Sequence, residues 1–155
     1  MPLQTPPLEA SVDIAAPPAA VWKLISDVRS LRRFSPQVLR TVALGDPTRR
    51  GTVLVNLNHR GLLVWPTRSK IVEYVPEQRL AFRVLENGTT WSYALEAAGD
   101  GTRLVERRDA ERGVTDISVR LTDRFMGGTT KFYAELQHGM QETLAKIKSA
   151  AESGS

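Results

Sequence analysis

Apolar and polar residues alternate through most of the first 110 positions, and this pattern predicts strands. Residues 8–14 alternate strictly between apolar and polar side chains, which is the period of a half-buried strand. Pro17 and Pro18 then suit the first turn of a helix over 19–26, where a missing amide hydrogen costs nothing. A second short helix is predicted over 28–34. The chain therefore opens with one strand and two short helices.

Six further strands are predicted between residues 37 and 110, separated by turn residues at intervals of about ten positions. The pairs Asn87-Gly88 and Asp100-Gly101 tolerate positive φ and favour tight hairpins, so the strands form an antiparallel meander. Pro66 removes a ladder hydrogen bond and is expected at a strand start, a bulge or an edge. The predicted strands cover 37–44, 51–60, 64–75, 79–86, 89–98 and 102–110.

The period changes after Gly113, where apolar residues recur every three or four positions from Ile117 to Ile147 and predict an amphipathic helix. Gly127 and Gly128 interrupt it. Two adjacent glycines weaken a helix, so we expect a kink or break between an approach segment, 116–126, and the main helix. This break is either a hinge that opens a ligand cavity or a static corner. The residues after 150 are expected to fray.

Composition and charge indicate one ordinary globular unit. With 155 residues, 41% hydrophobic and 25% charged, we expect one domain over 8–150 with irregular tails, 1–7 and 151–155. No apolar run reaches about 20 residues and the first residues lack signal-peptide features, so we expect a cytoplasmic protein. The chain has no cysteine. Its net charge of +4 is spread among acidic residues, which favours a solvated surface over a nucleic-acid-binding face.

Short segments spread over nearly the whole chain carry a family resemblance. They are 12–22 (VDIAAPPAAVW), 58–61 (NHRG) followed by Trp65, 73–76 (EYVP) leading to 80–82 (LAF), 91–93 (WSY), 101–106 (GTRLVE), and 139–140 (GM) followed by Leu144. In this order they resemble the START/SRPBCC superfamily, the helix-grip group that includes the birch-pollen allergen fold, and its actinobacterial polyketide cyclase/dehydrase or lipid-transport branch. The resemblance implies an α+β fold, in which a seven-stranded curved antiparallel sheet (β-α-α-β6-α) surrounds a long C-terminal helix and a hydrophobic cavity lies between them.

Alternation selects the side chains that face this cavity on two strands, because residues two apart share a face. In 51–60 the pattern is ambiguous: the resemblance implies that Asn56 and Asn58 point inward, but the opposite face is equally apolar. A packed core without ligand explains the apolar residues as well, and the resemblance favours a cavity. The candidate ligand-binding residues are Leu54, Asn56, Asn58, Trp65, Leu80, Phe82, Val84, Trp91, Tyr93, Leu95, Phe125, Phe132, Leu136 and Met140.

Polar residues at inward positions are the candidates for chemistry, because a buried polar group needs a partner. Glu106, Arg108, Tyr93 and Asn58 are the catalytic candidates. The alternative for Glu106 and Arg108 is an ion pair or a solvent-facing edge, and a buried tyrosine often anchors to backbone. His59 and His138 lie in no metal-ligand or triad spacing and are expected on the surface. We therefore expect no metal and no cofactor.

Three functions remain open on these residues. The first is binding of a small hydrophobic molecule, lipid-like or aromatic and polyketide-like, in the internal cavity. The second is a polyketide cyclase or dehydratase that uses the same cavity, since a shaped cavity with one or two polar groups suffices for such chemistry. The third is a regulatory or toxin-like module. The expected partner is a small hydrophobic ligand, with no nucleic acid, no stable membrane insertion, and a monomeric or homodimeric chain.

Overall fold

A computed structural model of the chain describes residues 7–27, 30–35, 38–110 and 129–154. The described part contains seven strands and three helices in the predicted order. Their bounds are β1 Leu8–Ile14, α1 Pro18–Ile25, α2 Leu31–Phe34, β2 Val38–Ala43, β3 Val53–Arg60, β4 Leu63–Val75, β5 Arg79–Val84, β6 Thr90–Ala98, β7 Gly101–Asp109 and α3 Thr129–Ser153.

The strands form one antiparallel sheet in the order β1-β7-β6-β5-β4-β3-β2, so β1 and β2 are its two edges. Strand ends differ from the predicted ones by one or two residues. The Asn87-Gly88 turn is built as the sequence predicts: Gly88 has a φ of 72°, and the Asn87 carboxamide oxygen accepts hydrogen bonds from the Thr89 amide and hydroxyl groups at 3.0 and 2.7 Å. The predicted meander is therefore confirmed.

Pro66 lies within β4, at a position where the missing amide hydrogen does no harm. It is opposite Leu57 on β3, whereas the pairing of β4 with β5 begins only at Ser69. The first residues of β4 are thus a local edge on their β5 side. This agrees with the expectation that a proline in a sheet needs an edge position.

Helix α3 covers the β1 edge of the sheet through side-chain hydrogen bonds to strand backbone. Gln137 donates to the Glu9 carbonyl oxygen at 3.0 Å, and Lys148 donates to the Asp13 carbonyl oxygen at 2.7 Å. One turn further, the Glu152 carboxylate accepts a hydrogen bond from the Ala15 amide at 2.8 Å. An open edge offers unpaired backbone groups to other chains, and α3 occupies these groups on β1.

The hydrophobic core lies where α1 and α3 pack on one end of the sheet. Met140, Leu144 and Ile147 are buried on α3 at the predicted spacing, and they pack with Val21 of α1 and Leu104 of β7. Each such side chain stabilises the fold by roughly 1.5–3 kcal/mol through burial. None of the described helices is both long and apolar enough to span a bilayer.

The C-terminal end of the helix differs from the prediction. Residues after 150 were expected to fray, but α3 continues to Ser153 because Ala151 is buried against the core and Glu152 is bonded to Ala15. Of the second predicted helix, the described part forms α2. The proposed hinge at Gly127 and Gly128 lies outside the described residues, as does the approach segment 116–126.

Among the glycines that the structure describes, Gly101 is the one at which an added Cβ atom has no room. A Cβ atom there would collide with the carbonyl oxygen of Ile14, which is β1 backbone and cannot rotate away. We expect Gly101→Ala to lower the free energy of unfolding by about 1–3 kcal/mol. Gly139→Ala is the matched control, since its Cβ meets open space on α3 and should stabilise by about 0.5–1 kcal/mol. Urea unfolding measures both, and equal stability of Gly101→Ala and wild type would contradict the assignment.

Candidate functional site

A cavity of about 240 Å³ lies between the inner face of the sheet and α3. Strands β3 to β7 supply most of its wall, and α3 supplies Leu136. The lining residues are Ser35, Val38, Leu54, Asn56, Asn58, Trp65, Thr67, Ser69, Phe82, Val84, Asn87, Thr89, Trp91, Tyr93, Glu106, Arg108 and Leu136.

The apolar part of the wall follows from strand alternation. Phe82 and Trp91 are directly opposite each other in the β5–β6 register, so their rings share the inner face. On β3 the inward side chain is Leu54, which is fully buried, and this settles the ambiguous register in favour of Leu54, Asn56 and Asn58. Aromatic and aliphatic side chains together form a surface suited to a flat apolar molecule.

Glu106 is a buried carboxyl group with only one of its oxygens in a hydrogen bond. It lies opposite Tyr93 in the β6–β7 register, and the tyrosine hydroxyl donates to its Oε2 atom at 3.1 Å. Oε1 has no hydrogen-bond partner among the described residues. Burial raises the pKa of Glu106 to about 8, against the opposing effect of the bond from Tyr93. The carboxyl group is therefore mainly protonated at neutral pH and offers a donor at Oε1.

Tyr93 stays neutral over the same pH range. Burial, with a smaller contribution from the Glu106 carboxyl group, raises the pKa of Tyr93 well above its usual value of 10.0. The hydroxyl group therefore keeps its proton and keeps donating to Glu106. Tyr93 thus fixes the orientation of the carboxyl group, and its side chain bonds to a carboxylic acid rather than to backbone.

Arg108 is a second buried charged residue of β7, two positions along the same face. Its guanidinium group lies 5.8 Å from the ring centre of Trp91 and 5.5 Å from that of Tyr133, which are cation–π distances. Burial lowers the pKa of Arg108, while a hydrogen bond with Tyr133 opposes the change. Within the described part of the chain, no carboxylate forms an ion pair with it. Neither of the alternatives weighed for Glu106 and Arg108, an ion pair or a solvent-facing edge, is found among these residues.

Hydroxyl and amide side chains of β3 and β4 form the opposite wall, and Thr41 of β2 supports it from outside the cavity. The Asn56 oxygen accepts from the Thr41 hydroxyl at 2.9 Å, and the Asn56 amide donates to the Ser69 hydroxyl at 3.1 Å. The Asn58 amide donates to the Thr67 hydroxyl at 2.9 Å. Asn56 is therefore held on both sides by protein groups. The Oδ1 atom of Asn58 makes no hydrogen bond to any described residue, so it can accept one from a ligand.

An ion pair joins the two walls next to the cavity. Arg60, at the end of β3, forms a bidentate contact with Glu135 of α3 at 2.8 and 2.6 Å, and Glu135 precedes the lining residue Leu136. Hydrogen bonding to Glu135 raises the pKa of Arg60, and the same contact lowers the pKa of Glu135. Both side chains are about one third exposed, so the pair positions α3 more than it stabilises the fold.

Most of the residues predicted from the sequence reach the cavity wall. Three do not: Leu80 and Met140 are buried in the core and Leu95 packs against it, because α1 and α3 fill the space at that end of the sheet. Phe125 and the Phe132 side chain lie outside the described part. His138 is exposed and pairs with Glu142 at 2.7 Å. Nine of the predicted ligand-binding residues line the cavity, Leu54, Asn56, Asn58, Trp65, Phe82, Val84, Trp91, Tyr93 and Leu136, as do the catalytic candidates Glu106 and Arg108.

Several polar wall residues were not predicted. Thr67 and Ser69 alternate in phase with Trp65, so strand periodicity alone indicates their direction. Thr41 and Tyr133 do not line the cavity but contact the wall residues Asn56 and Arg108, and alternation gives no signal for these contacts, because they depend on cross-strand pairing and on the phase of α3. That the lining residues bind a ligand remains a prediction.

Comparison with known proteins gives one family match. The sequence profile of the family described as "Polyketide cyclase / dehydrase and lipid transport" matches residues 6–152. No curated protein sequence matches the chain.

Solved structures repeat the fold at low sequence identity. TTHA0849 from Thermus thermophilus is 17% identical with a TM-score of 0.73, over 97% of this chain and 99% of that one. The di-domain ARO/CYC StfQ from the steffimycin biosynthetic pathway is 15% identical with a TM-score of 0.76, over 95% of this chain and 50% of that one. Ara h 8.0201 is 13% identical with a TM-score of 0.68, over 96% and 98%. At these identities the likeness establishes the helix-grip fold.

The pKa of Glu106 makes stability depend on pH in a defined direction. The folded pKa of about 8 lies above the unfolded value of about 4.3, so this group's stabilising contribution is full below pH ~4 and is lost as pH rises to ~8. Glu106→Gln removes the titration. We compare the free energies of unfolding as variant minus wild type. This difference should rise by about 2–4 kcal/mol between pH ~5 and ~8.5, because only wild type loses stability when Glu106 ionises.

Glu96→Gln serves as the control for this measurement, since Glu96 is an exposed carboxylate on β6. Denaturant unfolding across the pH range should give a nearly flat difference for that variant. A difference for Glu106→Gln that does not change with pH would show that Glu106 ionises normally in the folded protein.

Proposed function

The chain belongs to the polyketide cyclase / dehydrase and lipid transport family, and from this premise we propose that its cavity binds a small, largely apolar molecule that carries an electronegative oxygen. The apolar body would lie against Phe82, Trp91 and Leu136. The oxygen would face Glu106 and Arg108 of β7.

The observation that carries this proposal is the unpaired, buried Oε1 atom of Glu106 in the cavity wall. An unsatisfied buried polar group costs roughly 1–3 kcal/mol, so it is retained where something pairs with it. A ligand oxygen in the cavity supplies that partner. The same oxygen would meet the guanidinium group of Arg108, which lacks a carboxylate among the described residues.

The donors and acceptors of the wall define the ligand class further. Protonated Glu106 and Arg108 both donate, which suits a carbonyl, phenol or carboxylate oxygen. At the opposite wall the free Oδ1 of Asn58 accepts, which suits a hydroxyl group on the other side of the molecule. Between them the aromatic rings favour a flat ring system over a flexible chain.

The cavity volume also favours a flat ring system over a flexible chain. About 240 Å³ is slightly below the roughly 300–1,000 Å³ of typical small-molecule pockets. A molecule of one or two fused rings fits such a space better than a two-chain lipid does. Of the lipid-like and aromatic ligands expected from the sequence, we therefore favour the aromatic, polyketide-like class.

The second candidate function is catalysis on such a molecule, and a specific observation favours it. A carboxylic acid that is protonated at neutral pH and free at one oxygen is equipped to act as a general acid. Arg108 would stabilise negative charge on the substrate oxygen, and Tyr93 would orient the acid. The name of the similar structure StfQ, an ARO/CYC, agrees with this role, although the likeness extends only to the fold.

We expect the protein to bind 1-naphthol about tenfold more tightly than naphthalene, because one buried hydrogen bond to the hydroxyl is worth about 1–1.5 kcal/mol. Leu136→Phe should weaken binding of both by reducing the cavity volume. Titration calorimetry measures the affinities. Leu85→Phe is the control, since Leu85 is exposed and does not line this cavity. A folded wild-type protein that binds neither probe would overturn the proposal.

Glu106→Gln separates catalysis from binding. Glutamine keeps a donor and the shape of the side chain but cannot transfer a proton. If the protein is a cyclase, wild type should accelerate cyclisation of a reactive poly-β-keto chain and shift its products away from the spontaneous mixture. The rate of that catalysed cyclisation should be about 10²–10⁴-fold lower for the variant. Its affinity for 1-naphthol should change by only a few fold. A wild-type protein that leaves the mixture unaltered would contradict the catalytic role.

A further inference from the structure

The outer face of β2, β3 and β4 carries aliphatic side chains where an antiparallel sheet usually presents polar ones. Val42 is opposite Val55, and Leu57 is opposite Pro66, so these four share one face. Val42 and Leu57 are 42% and 40% exposed, and Val64 beside them is 51% exposed. We call these five residues the outer patch. A contiguous exposed apolar surface of this kind commonly marks a contact site.

The outer patch continues into the turn between β3 and β4. Leu62 at the tip of this hairpin is fully exposed, and the neighbouring Leu63 is 39% exposed. Beyond the end of β2, Leu44 is 63% exposed. The hairpin thus projects an aliphatic side chain from the edge of the patch into solvent.

Cations without acidic partners surround this apolar surface. Lys70 and Arg83 are directly opposite each other on β4 and β5, and they line an outer cleft of about 590 Å³ together with Arg50. Arg40 is opposite Leu57. In the part of the chain that the structure describes, none of these four forms an ion pair. Like charges directly opposite each other destabilise a sheet, and a bound anion would relieve that repulsion.

We propose that the outer patch docks on the surface of an anionic lipid bilayer. The aliphatic side chains of Leu62, Leu57 and Val64 would enter the interfacial region, and Lys70, Arg83, Arg40 and Arg50 would contact lipid phosphates. Apolar area and cationic charge on one face together produce this kind of peripheral binding. The docking surface is separate from the cavity, so it stands independently of the proposed ligand binding.

Charge and surface chemistry argue against two other occupants. A second copy joined by a two-fold axis through this patch would bring its own unpaired cations towards the first copy's cations. Nucleic acid phosphates would pair with the cations, but the aliphatic centre of the patch offers no aromatic rings on which bases could stack. An anionic bilayer is complementary to both parts of the surface.

Vesicle sedimentation tests the proposal with two lipid compositions, phosphatidylcholine alone and phosphatidylcholine with phosphatidylglycerol. Wild type should bind only the anionic vesicles, and more weakly at high salt. The double variant Lys70→Gln, Arg83→Gln should bind them about 10- to 30-fold more weakly. The control double variant Arg103→Gln, Arg107→Gln has the same net charge, but it removes arginines that are paired with acids on β1 and β7. It should bind like wild type.

The apolar contribution is tested by Leu57→Ser together with Leu62→Ser, which should also weaken vesicle binding several fold. Circular dichroism verifies the fold of each variant. The proposal would be overturned if wild type did not bind anionic vesicles, or if the Lys70/Arg83 and Arg103/Arg107 double variants lost the same amount of vesicle affinity. It would also be overturned if the serine variant bound vesicles like wild type. A dimer in sedimentation velocity that the serine variant abolishes would overturn it as well.

Discussion

The packing of α3 along β1 determines how the rest of the molecule is arranged. One helix cannot cover seven strands, and α3 lies at the β1 end, where it fills the core with Met140, Leu144 and Ile147 and bonds to the strand backbone. Further along the sheet, Leu136 is the residue in the described part of α3 that lines the cavity. The inner faces of β3 to β6 are therefore left to form a cavity wall instead of a closed core.

The position of β7 gives that cavity its chemistry. The same strand runs beside β1 in the core at Leu104 and reaches the cavity at Glu106 and Arg108. Burial acts on both charged groups in the same way, by disfavouring the ionised form, but the outcomes differ because their usual pKa values differ. The carboxyl group becomes neutral near pH 7, whereas the guanidinium group keeps its charge. A neutral acid and a cation thus lie on the same strand of the cavity wall, next to the aromatic rings of Tyr93 and Trp91.

Most of the fold could be predicted from the alternation of apolar and polar residues and from the turn residues, because side-chain direction in a strand and hairpin geometry are local properties of the chain. Trp91, Tyr93 and Phe82 could be placed on the inner face from their spacing alone. The division of the inner face between core and cavity could not, since Leu80 and Leu95 have the same spacing as the lining residues and differ only in what packs above them. The bond between Tyr93 and Glu106 depends on the β6–β7 register, which no short segment encodes.

The contact between Ala15 and Glu152 joins positions 137 residues apart, and it links the end of β1, the first element described, to α3, the last element described. During translation, β1 has neither β7 nor α3 to pair with until those later elements have left the ribosome. Until then its backbone is available to other strands. Contacts this distant in sequence slow folding because a long loop must close before they form, and an unpaired strand edge is open to mispairing or chaperone capture until then.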